Sequence, residues 1–310
     1  MLDPRYQGIM SATPTPFLPD GGLDEDAVSA HVERQLQAGI TGLLVIGGTG
    51  EFTSLDEATR RRMVELTVAA AGGRIPVVAG VLHPGLRDAV RAANDYLRAG
   101  ADSVMVVTPF YNRATQDGIV QYFERLGEQV DGSLVLYEIP YRTGISLTPR
   151  SVTRIVERCR VVAMKACNPD LGQQMEVVDA VGRRVAILSG EEMVFPMHVA
   201  MGAVGGMLAG SNLFPRAWSR ILEFARRGDL TAARQLHAQL MPVTRALYSE
   251  PNPGPLKAAL RLASQPMGAV LPPLLEASAA CEQRLAQTLP EALSIEQGFG
   301  SISTAPQHVR

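Results

Sequence analysis

The sequence predicts a (β/α)8 TIM barrel followed by a C-terminal helical region. Short apolar runs rich in β-branched residues recur about every 25 residues, and longer helical patterns separate them. The eight runs are almost continuously apolar, as expected for parallel strands that are buried on both faces. Eight strands that are each followed by a helix favour a closed barrel, with an open doubly wound sheet as the alternative.

The predicted elements follow one another in a regular order along the chain. Strands are expected at residues 8–17, 42–48, 75–81, 103–110, 134–140, 161–167, 184–190 and 204–210. Several helix ends can be read between them. Ser54 and Glu57 have the spacing of a capping box, Pro149 suits a first helical turn after Thr148, and Gly72 follows a helix end.

The strand signals stop near residue 228, which predicts a change of architecture. We expect the barrel at residues 1–228, a C-terminal helical region at 229–297 and a loosely held tail at 298–310. Within the helical region, helices are predicted at 229–245, 255–264 and 274–287.

Composition excludes several classes of partner. The 310 residues include 29 basic and 31 acidic side chains with no long basic run, so we expect no nucleic-acid partner. No stretch reaches the roughly 18 uncharged apolar residues of a membrane span, and no signal peptide pattern is present. The sequence therefore predicts a cytoplasmic protein that does not bind membranes.

Cysteine and histidine usage gives no sign of a metal or cofactor site. The three cysteines lack CxxC spacing and fit reduced thiols, and the five histidines occur singly. We therefore expect neither a metal ion nor a cofactor.

Lysine usage is unusual, since the chain has 27 arginines and only two lysines, Lys165 and Lys257. Lys165 interrupts the apolar strand VVAMKAC, so its side chain is expected inside the barrel. Burial lowers the pKa of a lysine and frees the amine to attack a carbonyl and form a Schiff base. A structural ion pair with Glu51, Glu138 or Glu191 is the alternative.

Tyr137 is a candidate for proton transfer beside that lysine. It lies one strand earlier, in LVLYEIP, and is placed to reach the same interior, where a phenol can shuttle a proton. Core packing explains a strand tyrosine equally well. Tyr111, just beyond the fourth strand, is a weaker candidate by itself.

The glycine-rich stretch IGGTGEF, residues 46–52, raises the question of what it binds. It lacks the lysine of a Walker loop and the spacing and distant acidic residue of a dinucleotide fingerprint. What remains is a tight turn with exposed backbone amides and the hydroxyl of Thr49. Such a turn is large enough to hold a carboxylate.

Several short motifs together resemble the dihydrodipicolinate synthase and N-acetylneuraminate lyase family of class I aldolases. They occur in order as GTGE at 48–51, TPFYN at 108–112, YEIPYRTG at 137–144, VVAMKAC at 161–167, ILSGEE at 187–192 and EPNPGPLK at 250–257. The resemblance implies an eight-stranded barrel that binds pyruvate or another 2-keto acid as an imine. It also implies a homo-oligomer, dimeric or tetrameric.

The resemblance implies catalytic roles for three residues. Lys165 matches the Schiff-base lysine, and Tyr137 matches the tyrosine that transfers protons. Tyr111 matches the tyrosine that a neighbouring subunit inserts into the proton relay.

The resemblance also implies a binding site for the substrates. Thr49 belongs to the site for the pyruvate carboxylate, and Gly190 and Met207 occupy positions whose backbone lines that pocket. Arg142 matches the arginine that holds the carboxylate of the aldehyde substrate, a role that a guanidinium suits. Gly48 replaces a threonine or serine whose hydroxyl links the two tyrosines.

Three hypotheses follow. Retention of Arg142 favours condensation of pyruvate with an aldehyde such as aspartate semialdehyde. Loss of the hydroxyl at Gly48 favours cleavage or dehydration of a 2-keto-3-deoxy sugar acid through the same imine. The third hypothesis is a barrel that binds keto acids without turning them over, and the presence of both Lys165 and Tyr137 argues against it.

Overall fold

A computed structural model describes residues 2–300 and contains a closed barrel of eight parallel strands. The predicted fold class is confirmed. The strands, which pair in chain order, are β1 (Gly8–Ala12), β2 (Gly42–Val45), β3 (Val77–Val81), β4 (Ser103–Val107), β5 (Ser133–Glu138), β6 (Val161–Ala166), β7 (Ala186–Ser189) and β8 (Gly205–Leu208).

Helices follow the strands around the barrel and then continue alone to residue 298. They are α1 (Glu25–Gln37), α2 (Glu57–Ala71), α3 (Leu86–Arg98), α4 (Gln116–Gly127), α5 (Pro140–Thr143), α6 (Pro149–Arg158), α7 (Leu171–Val181), α8 (Phe195–Ala200), α9 (Pro215–Arg226), α10 (Leu230–Leu247), α11 (Gly254–Leu262) and α12 (Ala279–Gly298). None of the helices within residues 2–300 is long and apolar enough to cross a membrane.

Alternation along each strand divides the apolar residues into two buried clusters. Along β6 and the residue that follows it, Met164 and Ala166 belong to the cluster between the barrel and its helices, whereas Ala163 and Cys167 belong to the cluster inside the barrel. Successive side chains of a strand point to opposite faces. Lys165, which lies between Met164 and Ala166, therefore faces the interior.

Seven of the eight predicted strands extend too far at their carboxyl ends, whereas the third ends at residue 81 as predicted. The fourth ends at Val107 rather than at residue 110, and the first ends at Ala12 rather than at residue 17. Apolar content continues past the last paired residue because the loops above the barrel also bury apolar side chains, such as Phe17. The loops that carry the polar residues therefore begin earlier than predicted.

The helix caps agree with the sequence in two of three cases. Thr148 caps α6 with Pro149 in its first turn, and Gly72 ends α2 with φ of 57°. The capping box of Ser54 and Glu57 is wrong, because Asp56 caps α2 by accepting a hydrogen bond from the Thr59 amide.

The helices after the barrel also differ from the predicted bounds. The first two lie close to their predicted positions, but α12 begins at Ala279 rather than at residue 274. Ser278 caps it by accepting from the Cys281 amide. The helix runs past residue 287 because Leu289 and Ala292 continue its buried stripe. Most of the predicted tail, 301–310, lies outside the described residues.

Candidate active site

Seven of the eight predicted site residues line one cavity at the carboxyl ends of the strands. This central cavity is also lined by loop residues that follow β2 and by residues just before α11. The seven are Gly48, Thr49, Tyr137, Arg142, Lys165, Gly190 and Met207. In parallel barrels the loops at this end of the strands form the active site.

Lys165 is buried in the barrel beside Tyr137. Only 8% of its surface is exposed, and its Nζ lies 5.0 Å from the centroid of the Tyr137 ring. The two residues are register partners on β5 and β6, which explains their proximity. Within residues 2–300 no carboxylate forms a salt bridge with Lys165. Burial therefore lowers the pKa of its ammonium group and favours the free amine.

The carboxylates that were alternative partners of Lys165 have other contacts. Glu51 forms a salt bridge with Lys257 at 2.8 Å. Glu138 accepts hydrogen bonds from neutral groups, including the Leu147 amide at 2.8 Å. Glu191 accepts from the Tyr141 hydroxyl at 3.0 Å. These contacts argue against the structural ion pair and for a reactive amine.

Tyr137 is slightly more deeply buried than the lysine, with 6% of its surface exposed. Burial raises the pKa of its phenol well above the ordinary value, while the positive charge of Arg142 acts in the opposite direction. The phenol therefore holds its proton near neutral pH. It is available as an acid beside the amine of Lys165.

The loop at residues 46–52, which we call the carboxylate loop, presents hydrogen-bond donors to the central cavity. Across residues 2–300, the backbone amides of Thr49 and Gly50 have no acceptor. A side chain at Gly50 would place its Cβ 2.7 Å from the Ile46 amide nitrogen, so the turn requires glycine there. Free amides in a tight turn form a concave site suited to an anion.

Gly190 approaches the lysine so closely that it has no room for a side chain. A Cβ at this position would lie 2.1 Å from the Cys167 sulfur and 3.0 Å from the Lys165 Cε. The backbone of Gly190 therefore forms one wall around the amine.

Arg142 lies over Gly48. In the sequence analysis each of these two residues favoured a different reaction. A Cβ on Gly48 would be 3.0 Å from the Arg142 Nη1. Arg142 comes from the short helix α5, which ends at Thr143 and is followed by Gly144 with φ of 72°. The guanidinium thus occupies space next to the carboxylate loop that a side chain at position 48 would restrict.

Tyr111 is the one predicted site residue that does not line the central cavity. It follows β4, has 92% of its surface exposed and adopts φ of 74°, which is unfavourable for a residue with a bulky side chain. Its side chain contributes nothing to the site of its own chain.

Four residues whose hydroxyl, thiol or amide side chains line the central cavity were missed as site residues by the sequence analysis, namely Tyr141, Cys167, Tyr248 and Asn252. Cys167 could have been found, because it lies two residues after Lys165, directly past the end of β6, and alternation places it on the same face. Burial raises the pKa of its thiol to about 12, so the thiol is a neutral part of the wall. Tyr248 and Asn252 belong to the segment between α10 and α11, for which no strand pattern predicts a contact.

A closed barrel with a buried lysine beside a tyrosine defines an aldolase-type barrel enzyme. The chain belongs to the dihydrodipicolinate synthetase family, whose model matches residues 5–292. This confirms the family resemblance that the motifs indicated.

Individual relatives cover nearly the whole chain. A protein of Sorangium cellulosum named 4-hydroxy-tetrahydrodipicolinate synthase is 37% identical over 284 residues, which is 91% of this chain and 94% of the relative. One of the same name from Pelobacter propionicus is 33% identical over 89% of this chain and 96% of its own.

Solved structures agree with this relationship. The dihydrodipicolinate synthase of Thermotoga maritima has a TM-score of 0.89 and 31% identity, covering 92% of this chain and 98% of that one. The pyruvate complex of the Acinetobacter baumannii enzyme has a TM-score of 0.89 and 28% identity, covering 93% and 99%.

Proposed function

We propose that the chain is a Schiff-base-forming lyase that condenses pyruvate with an aldehyde such as aspartate semialdehyde, as 4-hydroxy-tetrahydrodipicolinate synthases do. The observation that carries this proposal is Lys165, a buried amine without a carboxylate partner in the described chain, beside the protonated phenol of Tyr137. The names of the relatives support the choice of reaction.

The chemistry begins at the amine. The Lys165 nitrogen attacks C2 of the keto acid and gives a carbinolamine, and Tyr137 donates the proton that lets its hydroxyl leave as water. Loss of a proton from the methyl group of the resulting iminium gives an enamine. The enamine carbon forms a bond to the aldehyde carbon, whose oxygen takes up a proton. The substrate's own amine or water then releases Lys165.

The carboxylate loop is proposed to hold the keto acid. The free amides of Thr49 and Gly50, together with the Thr49 hydroxyl, are suited to a carboxylate in the cavity that they line with Lys165. Gly190 and Met207 also line this cavity and are proposed to complete the pocket for the keto acid.

Arg142 is proposed to bind the carboxylate of the aldehyde. A guanidinium pairs with a carboxylate through two parallel hydrogen bonds, which fixes orientation as well as charge. Tyr141 and Glu191 lie near it and are linked by a hydrogen bond of 3.0 Å. Burial raises the pKa of the Glu191 carboxyl, although the Tyr141 hydroxyl opposes that change.

Tyr111 is proposed to act in the site of a neighbouring subunit. Its exposed side chain and its unfavourable φ of 74° fit a residue that is held outward for an intermolecular contact. The protein would then be a homo-oligomer, dimeric or tetrameric, and would act in the cytoplasm on small-molecule substrates.

Cleavage or dehydration of a 2-keto-3-deoxy sugar acid is the second candidate function. Gly48 favours it, because the hydroxyl that would link the two tyrosines is missing. The pair of Tyr141 and Glu191 could hydrogen-bond sugar hydroxyls. Both candidates use the same imine of Lys165, so the amine does not distinguish them.

Borohydride reduction in the presence of pyruvate tests the shared step. Peptide mass analysis should find the reduced adduct on the peptide that contains Lys165, and its absence from the folded protein would contradict both enzymatic proposals. Aldehyde and sugar-acid screening then separates them. Turnover of aspartate semialdehyde supports the synthase, whereas turnover of only a keto-deoxy acid supports the second candidate.

A further inference from the structure

The C-terminal segment reaches over the barrel and contacts the carboxylate loop at two points. Asn252, just before α11, donates a hydrogen bond from Nδ2 to the Thr49 Oγ1 at 2.9 Å. Lys257, within α11, forms a salt bridge with Glu51 at 2.8 Å. The contacts join residues about 200 positions apart in sequence.

The carboxylate loop needs such support because its backbone is unfavourable. Ile46 and Glu51 have φ of 47° and 59°, in the left-handed region that residues other than glycine rarely adopt. Ile46 is β-branched, which makes that conformation still less favourable. A backbone of this kind persists only when surrounding contacts hold it in place.

The salt bridge provides a strong contact of that kind. The side chains of Glu51 and Lys257 are 0% and 4% exposed, so water screens their attraction little. The second carboxylate oxygen of Glu51 accepts from the Leu271 amide at 2.7 Å, and the Lys257 Nζ donates to the Ala269 carbonyl at 2.7 Å. The Lys257 Nζ also lies 4.2 Å from the centroid of the Phe17 ring.

The hydrogen bond from Asn252 determines where the Thr49 hydroxyl points its own hydrogen. Since Oγ1 accepts from Nδ2, its hydrogen must be donated in another direction. The central cavity, which Thr49 and Asn252 both line, offers that direction. A carboxylate bound there would receive a hydrogen bond from a hydroxyl that is already oriented.

We propose that Asn252 and the Lys257–Glu51 pair are positioning residues that hold the carboxylate loop and the Thr49 hydroxyl ready for the keto acid's carboxylate. This rests on the proposed function of the site. The second lysine of the chain thus supports the pocket in which the first one reacts.

The variants Asn252→Asp and Asn252→Ala test whether Asn252 orients the Thr49 hydroxyl. An aspartate would accept the hydrogen of Thr49 and repel the keto acid, so the KM for pyruvate should rise about tenfold or more. Alanine removes the orientation only and should give a smaller rise. In both variants kcat should change less than the KM, and borohydride at saturating pyruvate should still trap Lys165.

Lys257→Met and the double variant Glu51→Gln with Lys257→Met test the salt bridge. The single variant leaves a buried carboxylate unpaired and should lose stability as well as affinity for pyruvate. The double variant removes both charges together and should recover stability. Its KM for pyruvate should stay raised, because the glutamine at position 51 no longer forms the salt bridge that holds the loop.

Glu296→Gln is the matched control, since Glu296 is buried and pairs with Arg216 at 3.4 Å between α9 and α12, as part of a helix contact rather than of the cavity wall. It should leave the KM for pyruvate unchanged. If the Asn252 variants and the double variant keep the KM for pyruvate within about twofold of the unaltered chain, the proposal is wrong. Failure of borohydride to trap Lys165 in the unaltered chain would instead overturn the proposed function and this inference with it.

Discussion

Adding a single methyl group at Gly48 should weaken binding of the aldehyde without preventing imine formation. The new Cβ of Gly48→Ala would lie 3.0 Å from the Arg142 Nη1, inside the distance of about 3.5 Å at which nonpolar atoms pack. The guanidinium must move by a few tenths of an ångström, which would misalign one of the two hydrogen bonds that it is proposed to make with the aldehyde's carboxylate.

The size of the effect follows from that lost hydrogen bond. A hydrogen bond to a charged group contributes about 1.5 kcal/mol or more, which corresponds to roughly a tenfold rise in the KM for aspartate semialdehyde. Gly48→Thr adds two further heavy atoms and should displace the guanidinium more, with a loss of about 3 kcal/mol. If Tyr111 acts in a neighbouring site as proposed, the new hydroxyl also supplies a proton donor between Tyr111 and Tyr137, so kcat should rise even as the KM rises.

The assay is initial-rate kinetics with varied aspartate semialdehyde at saturating pyruvate, together with borohydride trapping of Lys165. Gly85→Ala is a suitable control, because nothing lies within 4 Å of the Cβ that it adds. An unchanged KM for the aldehyde in Gly48→Ala would refute the reasoning. So would loss of trapping, since the imine needs no group at position 48.

Three further perturbations have defined outcomes. Lys165→Met should abolish both the borohydride adduct and turnover while the melting temperature stays equal or rises, because a buried amine has been replaced by an apolar chain. Gly190→Ala should reduce kcat/KM by about a hundredfold through displacement of Lys165 and Cys167, and unchanged kinetics would contradict the packing described. Burial raises the pKa of Glu192 to about 7 from an ordinary value of 4.5, so the folded chain holds a proton that the unfolded chain releases between those values. The stability from that proton is present at low pH and is lost as pH rises towards 7. Glu192→Gln should therefore stabilise the protein by up to about 3 kcal/mol at pH 8 and by much less at pH 5 in urea unfolding, and an equal gain at both would show that the carboxyl is not perturbed.

The repeating pattern allowed the barrel and the central amine to be predicted from sequence. In this parallel barrel each strand pairs with the next strand along the chain. Because side chains alternate between the two faces of a strand, the position of Lys165 within VVAMKAC predicts that its side chain points inward. The same rule would have identified Cys167. The carboxyl ends of the strands were placed too late, because apolar content does not stop where backbone pairing stops.

Contacts between distant segments could not be predicted in the same way. Asn252 and Lys257 meet the carboxylate loop only because the helices after the barrel fold back over it, and no periodic pattern encodes that path. The role of Glu51 illustrates the difficulty. It was one of the glutamates considered as a partner for Lys165, but in the structure it forms a salt bridge with Lys257.

In the sequence analysis Gly48 and Arg142 favoured two different reactions, but in the folded chain the two residues lie next to each other and depend on each other. The guanidinium lies where it can approach the carboxylate loop because position 48 has no side chain. An arginine stays protonated and cannot pass a proton between Tyr137 and another group. We therefore infer that the space at position 48 serves the binding of the aldehyde's carboxylate by Arg142 rather than a hydroxyl that would relay protons. On this reasoning Gly48 indicates a slower condensation, with a different route for the proton, rather than a different reaction.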